Sequence, residues 1–355
     1  MKYVVPDYFH EFKCVAERCR DTCCAGWDIA VDDRTLEKYD HLKGGIRNRI
    51  KNSVDYANGT YYRSKGKCVL LSSEGLCDVY TEAGEEYMCA ACRNYPRHKE
   101  IFYDTREATL SISCPEVARM MLSREEKVQF KSYYNNKKKD NYDAATGWEE
   151  AIFAAREAIY AIIQNRELSI EVRQALVLGF AHDYQRRINQ CKENNRLILQ
   201  ELEELISKYS SPKWAQKVEK YILGYRGHKT AAKRVIKTMI HVYDGMEQVD
   251  VKWKKALGYK GGYTQVQIEQ LLIYWISVYF AGGIYDGDIY TKTRFALVNT
   301  LIMMQMAPEE VHHYAREVEH SQDNLEYLEK CIRKKPVFST KNLLMCIMNQ
   351  KLTQN

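Results

Sequence analysis

Apolar residues recur at helical spacing through most of the chain after residue 147. One apolar face runs from Trp148 through Ile152 to Ile163. Similar spacing predicts further helices at about 169–190, 193–209, 229–243, 264–281, 289–306, 308–320, 322–334 and 339–350. This part of the sequence has no repeat of fixed period and no β pattern of any length, so it predicts an all-α domain. The helices at 264–281 and 289–306 are the most apolar, and we expect them to be innermost.

The first 130 residues follow a different pattern, with short segments separated by glycine-containing turns. Short helices are predicted at 33–39 and 45–55, and a strand or extended segment at 104–112. Cys114-Pro115 then begins a helix that continues to about Leu122, because proline is tolerated in a first helical turn. A unit with so few long apolar faces is expected to need a metal to hold its shape.

A polar stretch at about 129–147 separates the two patterns, and its basic run from Lys137 to Lys139 is typical of a solvated linker. We therefore predict a cysteine-rich metal or iron–sulfur module at 1–130, a linker at 131–146 and an all-α helical domain at 147–355. The predicted fold class is mostly α, with a small irregular cysteine-rich module packed on a larger helical domain.

Composition and charge narrow the possible partners. A formal net charge of +6 over 355 residues permits an anionic partner but does not require nucleic acid. The most apolar stretch, from Leu271 to Tyr285, is shorter than a bilayer span. Met1 leads directly into mixed polar sequence without the apolar segment of a secretory signal. We therefore expect a cytoplasmic protein that binds neither membrane nor nucleic acid and keeps its thiols reduced.

Cysteines are concentrated at the start of the chain. Nine of the twelve lie in the first 114 residues, and these are Cys14, Cys19, Cys23, Cys24, Cys68, Cys77, Cys89, Cys92 and Cys114. Thiolates suit zinc and iron–sulfur clusters, and reduced thiols favour a metal over disulfides. Nine thiols exceed one tetrahedral site and fit about two. The spacing leaves open structural zinc sites, an iron–sulfur cluster and a redox or catalytic thiol.

Within this set, Cys89-x2-Cys92 and Cys19-x3-Cys23 each have a spacing by which one turn offers two sulfurs to one ion. Cys23 and Cys24 are adjacent, and neighbouring side chains tend to diverge. We expect these two thiols to face different ions, or one to bind while the other packs.

Several runs of residues resemble the flagellin lysine-N-methylase family. In the first half they are Phe12-Lys13-Cys14, Asp21-Thr22-Cys23-Cys24, Gly26-Trp27, Gly75 to Tyr80, Cys92 to His98 and Leu110 to Glu116. In the helical half they are Asp286-Gly287-Asp288 and Arg316 to Ser321. The cysteine-rich half is also similar to a broader group of zinc- or iron-chelating modules.

The resemblance implies methyl transfer to lysine side chains of flagellin, with S-adenosylmethionine as the donor. It also implies a [4Fe-4S] cluster held by N-terminal cysteines, and radical-type chemistry. The sequence has no G-x-G-x-x-G loop between a strand and a helix, so a Rossmann-type cofactor fold is not expected and chelation of the donor by a cluster iron is the natural route. The expected ligands, in order, are Cys19, Cys23, Cys77 and Cys92, then Cys24, Cys68, Cys89, Cys14 and Cys114.

Other side chains are candidates for roles around such a centre. Arg93, Arg97 and His98 follow Cys92 closely and could stabilise thiolates or bind the carboxylate of the cofactor. On a helix at 308–324, the side chains on one face are His313, Glu317, His320 and Asn324. A hydrogen-bond cluster between helices is the favoured interpretation of this face, and a substrate or cofactor contact through Glu317 and His320 is the functional alternative.

Asp286 and Asp288 follow the most apolar helix. Their simplest interpretation is a capping turn in which Asp288 begins the next helix. The functional alternative is a carboxylate that faces a cleft between the two domains and binds lysine or the cofactor. For the whole protein, the rival to flagellin methylation is a zinc-stapled binding or interaction module without catalysis, and an iron–sulfur electron carrier is a third hypothesis.

Overall fold

A computed structural model describes residues 1–134, 147–191 and 195–353, with only the backbone described for 195–197. Sixteen α-helices account for most of these residues, and the sheets are small. The mostly-α prediction is therefore confirmed. Among the helices of these three ranges, none combines the length and the apolar character needed to cross a membrane.

One four-stranded sheet lies in the first part of the chain. The strands of the whole described chain are β1 (Lys2–Pro6), β2 (Val54–Asp55), β3 (Thr60–Tyr61), β4 (Arg63–Ser64), β5 (Lys67–Cys68), β6 (Arg97–Phe102), β7 (Thr105–Leu110) and β8 (Phe130–Tyr134). The large sheet has the order β6-β7-β1-β8, in which β1 runs parallel to β7 and antiparallel to β8. Strands β2 with β3 and β4 with β5 form two short antiparallel pairs.

Strand β7 confirms the extended segment predicted at 104–112, whereas β1, β6 and β8 were not predicted. Strand β8 is an edge strand whose last four side chains are exposed, so it lacks the alternation that identifies a half-buried strand. This strand also corrects the linker at 131–146, because residues 131–134 pair with β1 in the sheet. Residues 135–146 of that linker lie outside the described residues.

Four helices belong to the first part of the chain: α1 (Asp33–His41), α2 (Gly45–Asn52), α3 (Ala90–Asn94) and α4 (Pro115–Leu122). Helices α1 and α4 confirm the predictions made for them. The helix predicted at 45–55 ends at Asn52, because the following residues turn into β2 and pair with β3.

The helical domain contains α5 (Trp148–Ile163), α6 (Ile170–Gln190), α7 (Asn195–Tyr209), α8 (Pro212–Ile222), α9 (Lys229–Val242), α10 (Lys252–Ala256), α11 (Gln265–Tyr279), α12 (Gly283–Asp286), α13 (Ile289–Met303), α14 (Val311–Glu319), α15 (Gln322–Lys334) and α16 (Thr340–Ile347). Every predicted helix of this domain is present. Helices α8, α10 and α12 are additional. Helices α11 and α13 are buried along nearly their whole length, so the prediction that they are innermost is confirmed.

The apolar side chains form two cores. The larger core joins the helical domain to the four-stranded sheet and α4, for example through Val5, Leu110 and Val117. The smaller core contains only residues between 29 and 92, including Tyr39 and Tyr61. The segment that carries most of the clustered cysteines therefore has a core of its own, while the rest of residues 1–130 packs with the helices.

Candidate metal centre

All twelve cysteines are free thiols. Five of them belong to the smaller core or pack against it, and Cys23 contacts one of these five, Cys24. These six, called the cysteine cluster below, are Cys23, Cys24, Cys68, Cys77, Cys89 and Cys92. The Cys24 thiol contacts the thiols of Cys23 and Cys77, and the Cys89 thiol contacts that of Cys92. Cys23 and Cys24 are thus in contact with each other, and the expectation that they face different ions, or that one binds while the other packs, stays a prediction.

Backbone pairing brings these cysteines together from distant positions. The Cys68 amide donates to the Cys24 carbonyl at 2.7 Å, and residues Leu71 and Cys77 form a β-bridge. Asp32 fixes the position of the remaining two cysteines, Cys89 and Cys92. Its Oδ1 accepts the Thr35 amide at 3.1 Å, and its Oδ2 accepts the Ala90 amide at 2.8 Å. One carboxylate therefore binds the first turns of both α1 and α3, and α3 carries Cys92.

The surroundings of the cluster are apolar, since Ile29, Leu70, Val79 and Met88 line the same pocket. Contact with the Cys23 thiol raises the pKa of Cys24 to about 12. Burial raises the pKa of Cys68 to about 11. In contrast, the hydrogen bond from the Cys92 thiol lowers the pKa of Cys89. Because a metal binds thiolates, metal binding here must release protons.

The distances between cysteine sulfurs differ between a zinc site and an iron–sulfur cluster. Among the residues that the structure describes, no three cysteine sulfurs lie within 4.8 Å of one another. Four thiolates bound to one zinc ion at about 2.3 Å stand about 3.8 Å apart. A [4Fe-4S] cluster binds each cysteine through a different iron and so spreads its ligands more widely. The cysteine cluster therefore supplies thiol donors for either kind of site, and the choice of iron or zinc stays a prediction.

The other three N-terminal cysteines lie elsewhere. The charges of Cys14 and Arg316 act on the Cys19 thiol, and the charges of Cys19 and Arg316 act on the Cys114 thiol. Cys19, which stands first in the predicted ligand order, therefore belongs to a different group from Cys23, Cys77 and Cys92. The nine-cysteine set divides into six and three, and five of the six, all but Cys23, line one pocket.

A short segment of residues 19–27, called the cysteine loop below, contacts the helical domain. Gly26 has a φ of +86°, and a Cβ at this position would lie 3.3 Å from the carbonyl oxygen of Val249. Trp27 donates from Nε1 to the Cys23 carbonyl at 2.8 Å. The rings of Trp27, Tyr95 and His320 contact one another in tilted and edge-to-face arrangements, with centroids 5.3 to 6.0 Å apart.

The predicted hydrogen-bond cluster on α14 is confirmed, and its partner is the loop at 247–250. Glu317 accepts the amides of Val249 at 2.9 Å and Asp250 at 2.6 Å. Asn324 accepts the Glu247 amide at 2.8 Å. His320 lies apart from these bonds, because its Nε2 is 2.9 Å from the Ser113 hydroxyl. Burial lowers the pKa of His320 to about 3, so its imidazole is neutral near pH 7.

The capping interpretation of Asp288 is also confirmed, since its side chain accepts the Thr291 amide at the start of α13. Asp286 lies 3.3 Å from the Lys292 ammonium, and Asp288 lies 2.8 Å from Arg333. Both carboxylates are therefore engaged at the end of α12. Their proposed contact with lysine or cofactor stays a prediction.

The three basic residues after Cys92 differ in their surroundings. Arg93 is exposed and has no ion-pair partner among the residues described by the structure. The Arg97 guanidinium lies over the Phe12 ring, 5.4 Å from its centroid. His98 pairs with Glu100 at 2.8 Å, and this hydrogen bond raises the pKa of His98. Of the three, Arg93 is the side chain with a free guanidinium beside the cysteine cluster.

Sequence reasoning missed two pairs of residues around the cysteines. Tyr39 and Tyr61 form a buried hydroxyl–hydroxyl hydrogen bond in the smaller core, where burial raises the pKa of both phenols. Asp21 and Arg316 form an ion pair of 2.8 Å between the cysteine loop and α14. Nothing in the sequence distinguished these two tyrosines from the other tyrosines. The charge of Asp21, two residues before Cys23, could have indicated a partner of opposite charge.

Comparisons with known proteins find similarity to lysine N-methylases and to a flagellar biosynthetic protein. A family model described as the FliB lysine N-methylase C-terminal domain matches residues 156–259, which lie in the helical domain. The lysine-N-methylases of Salmonella typhimurium (strain LT2) and Salmonella choleraesuis are each 28% identical over 127 residues, covering 33% of this chain and 32% of the relative. The flagellar biosynthetic protein FliU of Salmonella muenchen is 28% identical over 127 residues, which are 75% of its length.

The chain thus spans about a third of the length of the two lysine-N-methylases. No solved structure matches it.

Proposed function

The chain is similar to the flagellin lysine-N-methylase family, and on that premise we propose that it transfers methyl groups to lysine side chains of flagellin. The match of the lysine N-methylase family model to residues 156–259 carries the proposal. The names of the relatives, lysine-N-methylase and flagellar biosynthetic protein, support both the reaction and the substrate. The cytoplasm is the proposed compartment, where thiols remain reduced.

We further propose S-adenosylmethionine as the methyl donor and a [4Fe-4S] cluster as the group bound by the thiols. The cluster, when bound, supplies electron transfer and an iron at which the donor can be held. The cysteine cluster supports this group because its six free thiols provide more than the four ligands required. The apolar lining of the same pocket excludes water from it.

The residues of this chain have separate tasks in the proposal. The free guanidinium of Arg93, one residue after Cys92, can bind the carboxylate of S-adenosylmethionine through paired hydrogen bonds. Among the predicted catalytic residues, His320 contacts the cysteine loop through the Trp27 ring, whereas Glu317 binds the 247–250 loop. The Nδ1 atom of His320 is buried and has no hydrogen-bond partner among the described residues. This nitrogen is the proposed acceptor for the amine of the substrate lysine.

A zinc-stapled interaction module without catalysis is the rival function. The separate small core of residues 29–92 favours it, because a metal would stabilise such a core whatever its chemistry. The two functions therefore differ in the metal bound and in the presence of a reaction.

Mass spectrometry of flagellin tests the proposed reaction. Protein purified without oxygen is incubated with flagellin, S-adenosylmethionine and a reductant, and the lysine-containing peptides are weighed. Wild type should methylate lysines, and Cys92→Ser should lose this activity by more than about tenfold because a cluster ligand is missing. Cys191→Ser is the matched control, since this free thiol lies just after α6, and it should retain the activity.

Unmodified flagellin after incubation with iron-loaded wild type would contradict the proposal. Equal methylation by wild type and Cys92→Ser would contradict the role of the cysteine cluster.

A further inference from the structure

A second set of metal-binding side chains lies outside the cysteine cluster, where the cysteine loop meets α14. One donor atom each from Asp21, His312 and His313 lies within 4.8 Å of the other two. His312 and His313 are buried, and Asp21 is about one-tenth exposed in its side chain. We propose that these three residues, with Asp250 beside them, bind one divalent transition-metal ion through nitrogen and oxygen.

Distances within the set are those of ligands around a shared ion. The Oδ2 atom of Asp21 lies 3.7 Å from His312 Nε2 and 3.5 Å from His313 Nδ1. These separations are longer than a normal hydrogen bond of about 2.7–3.2 Å. They are close to the spacing of about 3.4 Å between tetrahedral ligands that each stand about 2.1 Å from a metal. The carboxylate and the imidazoles therefore face a common point without bonding directly to each other.

The His312 ring is held in the orientation of a ligand. Its Nδ1 lies 3.0 Å from the carbonyl oxygen of Glu309, which can only accept a hydrogen bond, so Nδ1 carries the proton. Nε2 consequently presents a lone pair. This atom is buried and has no hydrogen-bond partner among the described residues, on a side chain that is 3% exposed. A backbone carbonyl that fixes one ring nitrogen while the other points at a metal is the usual support of a ligating histidine.

The surrounding charges allow a dication. Asp250 Oδ2 accepts a hydrogen bond from His313 Nδ1 at 2.7 Å, so this proton must leave before Nδ1 binds a metal, and Glu310 lies 3.6 Å from His313 Nε2. Arg316 pairs with Asp21 at 2.8 Å and is buried, so it stays as a hydrogen-bond donor to the ligating carboxylate. Lys252 also reaches Asp21, at 3.2 Å, but its side chain is 57% exposed. Once a divalent metal replaces the Lys252 ammonium, the positive charges of the ion and Arg316 balance the negative charges of Asp21, Asp250 and Glu310.

The composition of the donor set selects the kind of metal. Two imidazoles disfavour calcium and magnesium, which prefer oxygen, and favour divalent zinc, iron, cobalt or nickel. Asp21 lies between Cys19 and Cys23, so an ion bound here fastens the cysteine loop to α14. The site uses no thiol and is distinct from the cysteine cluster.

Cobalt titration of the anaerobic protein tests the site, because Co²⁺ bound to nitrogen and oxygen lacks the sulfur-to-cobalt charge-transfer absorption of a thiolate site. Wild type should bind one more equivalent of Co²⁺ than His312→Gln, and the missing equivalent should carry only weak d–d absorption. His241→Gln is the control, since this histidine is an exposed partner of Asp244, and it should bind cobalt like wild type.

Equal cobalt stoichiometry in wild type and His312→Gln would overturn the site. So would a missing equivalent that carries charge-transfer absorption, because that would place the ion on thiolates. Should His312→Gln fail to fold, His313→Gln provides the same comparison with the same two outcomes.

Discussion

Glu319 is a carboxylate enclosed by hydroxyl groups near the end of α14. Its Oε1 accepts from Tyr274 at 2.6 Å and Tyr279 at 3.0 Å, and its Oε2 accepts from Ser111 at 3.0 Å. Burial nevertheless raises the pKa of this carboxyl above its ordinary value of 4.5, and the hydrogen bonds and the charge of His98 only partly oppose the rise. The folded protein therefore binds this proton more tightly than the unfolded chain does.

The sign of this shift predicts a pH dependence. The raised pKa of Glu319 stabilises the folded protein. This stabilisation is complete below the unfolded pKa of about 4.5 and is lost as the pH rises through the folded pKa. Glu319→Gln cannot lose a proton, so it should gain stability relative to wild type as the pH is raised from about 4 to 7. Urea unfolding at several pH values measures the difference, with the exposed Glu326→Gln as control. A difference in the free energy of unfolding between Glu319→Gln and wild type that stays constant or shrinks as the pH rises would contradict this prediction.

Single residues also show where prediction from sequence stops. Helical spacing is local, so the position of His313 and Glu317 on one face of α14 could be predicted. The single helix expected at 308–324 was wrong, because α14 ends at Glu319 and Asn324 lies on α15. The partners of this face could not be predicted, because the Val249 and Asp250 amides and the Asp21 carboxylate approach from other segments. Asp21 and Arg316 are 295 positions apart in the chain, and no local pattern connects them.

Helices α6 and α11 are joined by a buried ion pair that links two inner elements. Glu269 on α11 accepts from Arg173 on α6 at 2.7 Å and from Arg166 at 2.8 Å. Glu269 and Arg173 are almost completely buried. Two guanidinium groups therefore depend on one carboxylate for the balance of their charge.

Removal of the Glu269 charge should destabilise the contact between α6 and α11. Glu269→Gln keeps the size of the side chain but leaves the buried Arg173 uncompensated, so we expect a loss of about 3–5 kcal/mol in the free energy of unfolding. Asp40→Asn is the control, because Asp40 pairs with Lys51 at the exposed surface, and its loss of stability should be much smaller. Urea unfolding measures both. Equal, small losses in the two variants would show that the buried pair adds no stability.

Elements differ in how well the sequence predicted them, and the difference has a physical cause. Helices α6, α9 and α15 begin and end within a residue or two of their predictions, because their apolar faces and caps are local. The sheet was largely missed, because β1 pairs with strands that follow about a hundred residues later in the chain. Long-range pairing of short strands leaves little trace in a local pattern.

At the scale of the whole molecule, two cores meet at the cysteine loop. The smaller core holds the cysteine cluster, and the larger core holds the helical domain that resembles lysine N-methylases. The sequence predicted the concentration of cysteines and their free state, and the nine predicted ligands include all six of the cluster. It could not predict the division into six and three, because this depends on how the short strands and α3 pair in space.

Iron and sulfide analysis of protein purified without oxygen tests the central claim most directly. The wild type should be brown and contain about four iron and about four sulfide ions per chain. Cys92→Ser should lose both, whereas Cys19→Ser should keep them, because Cys19 lies with Cys14 and Cys114 outside the cysteine cluster. Colourless wild-type protein with stoichiometric zinc, or loss of iron in Cys19→Ser but not in Cys92→Ser, would contradict the account.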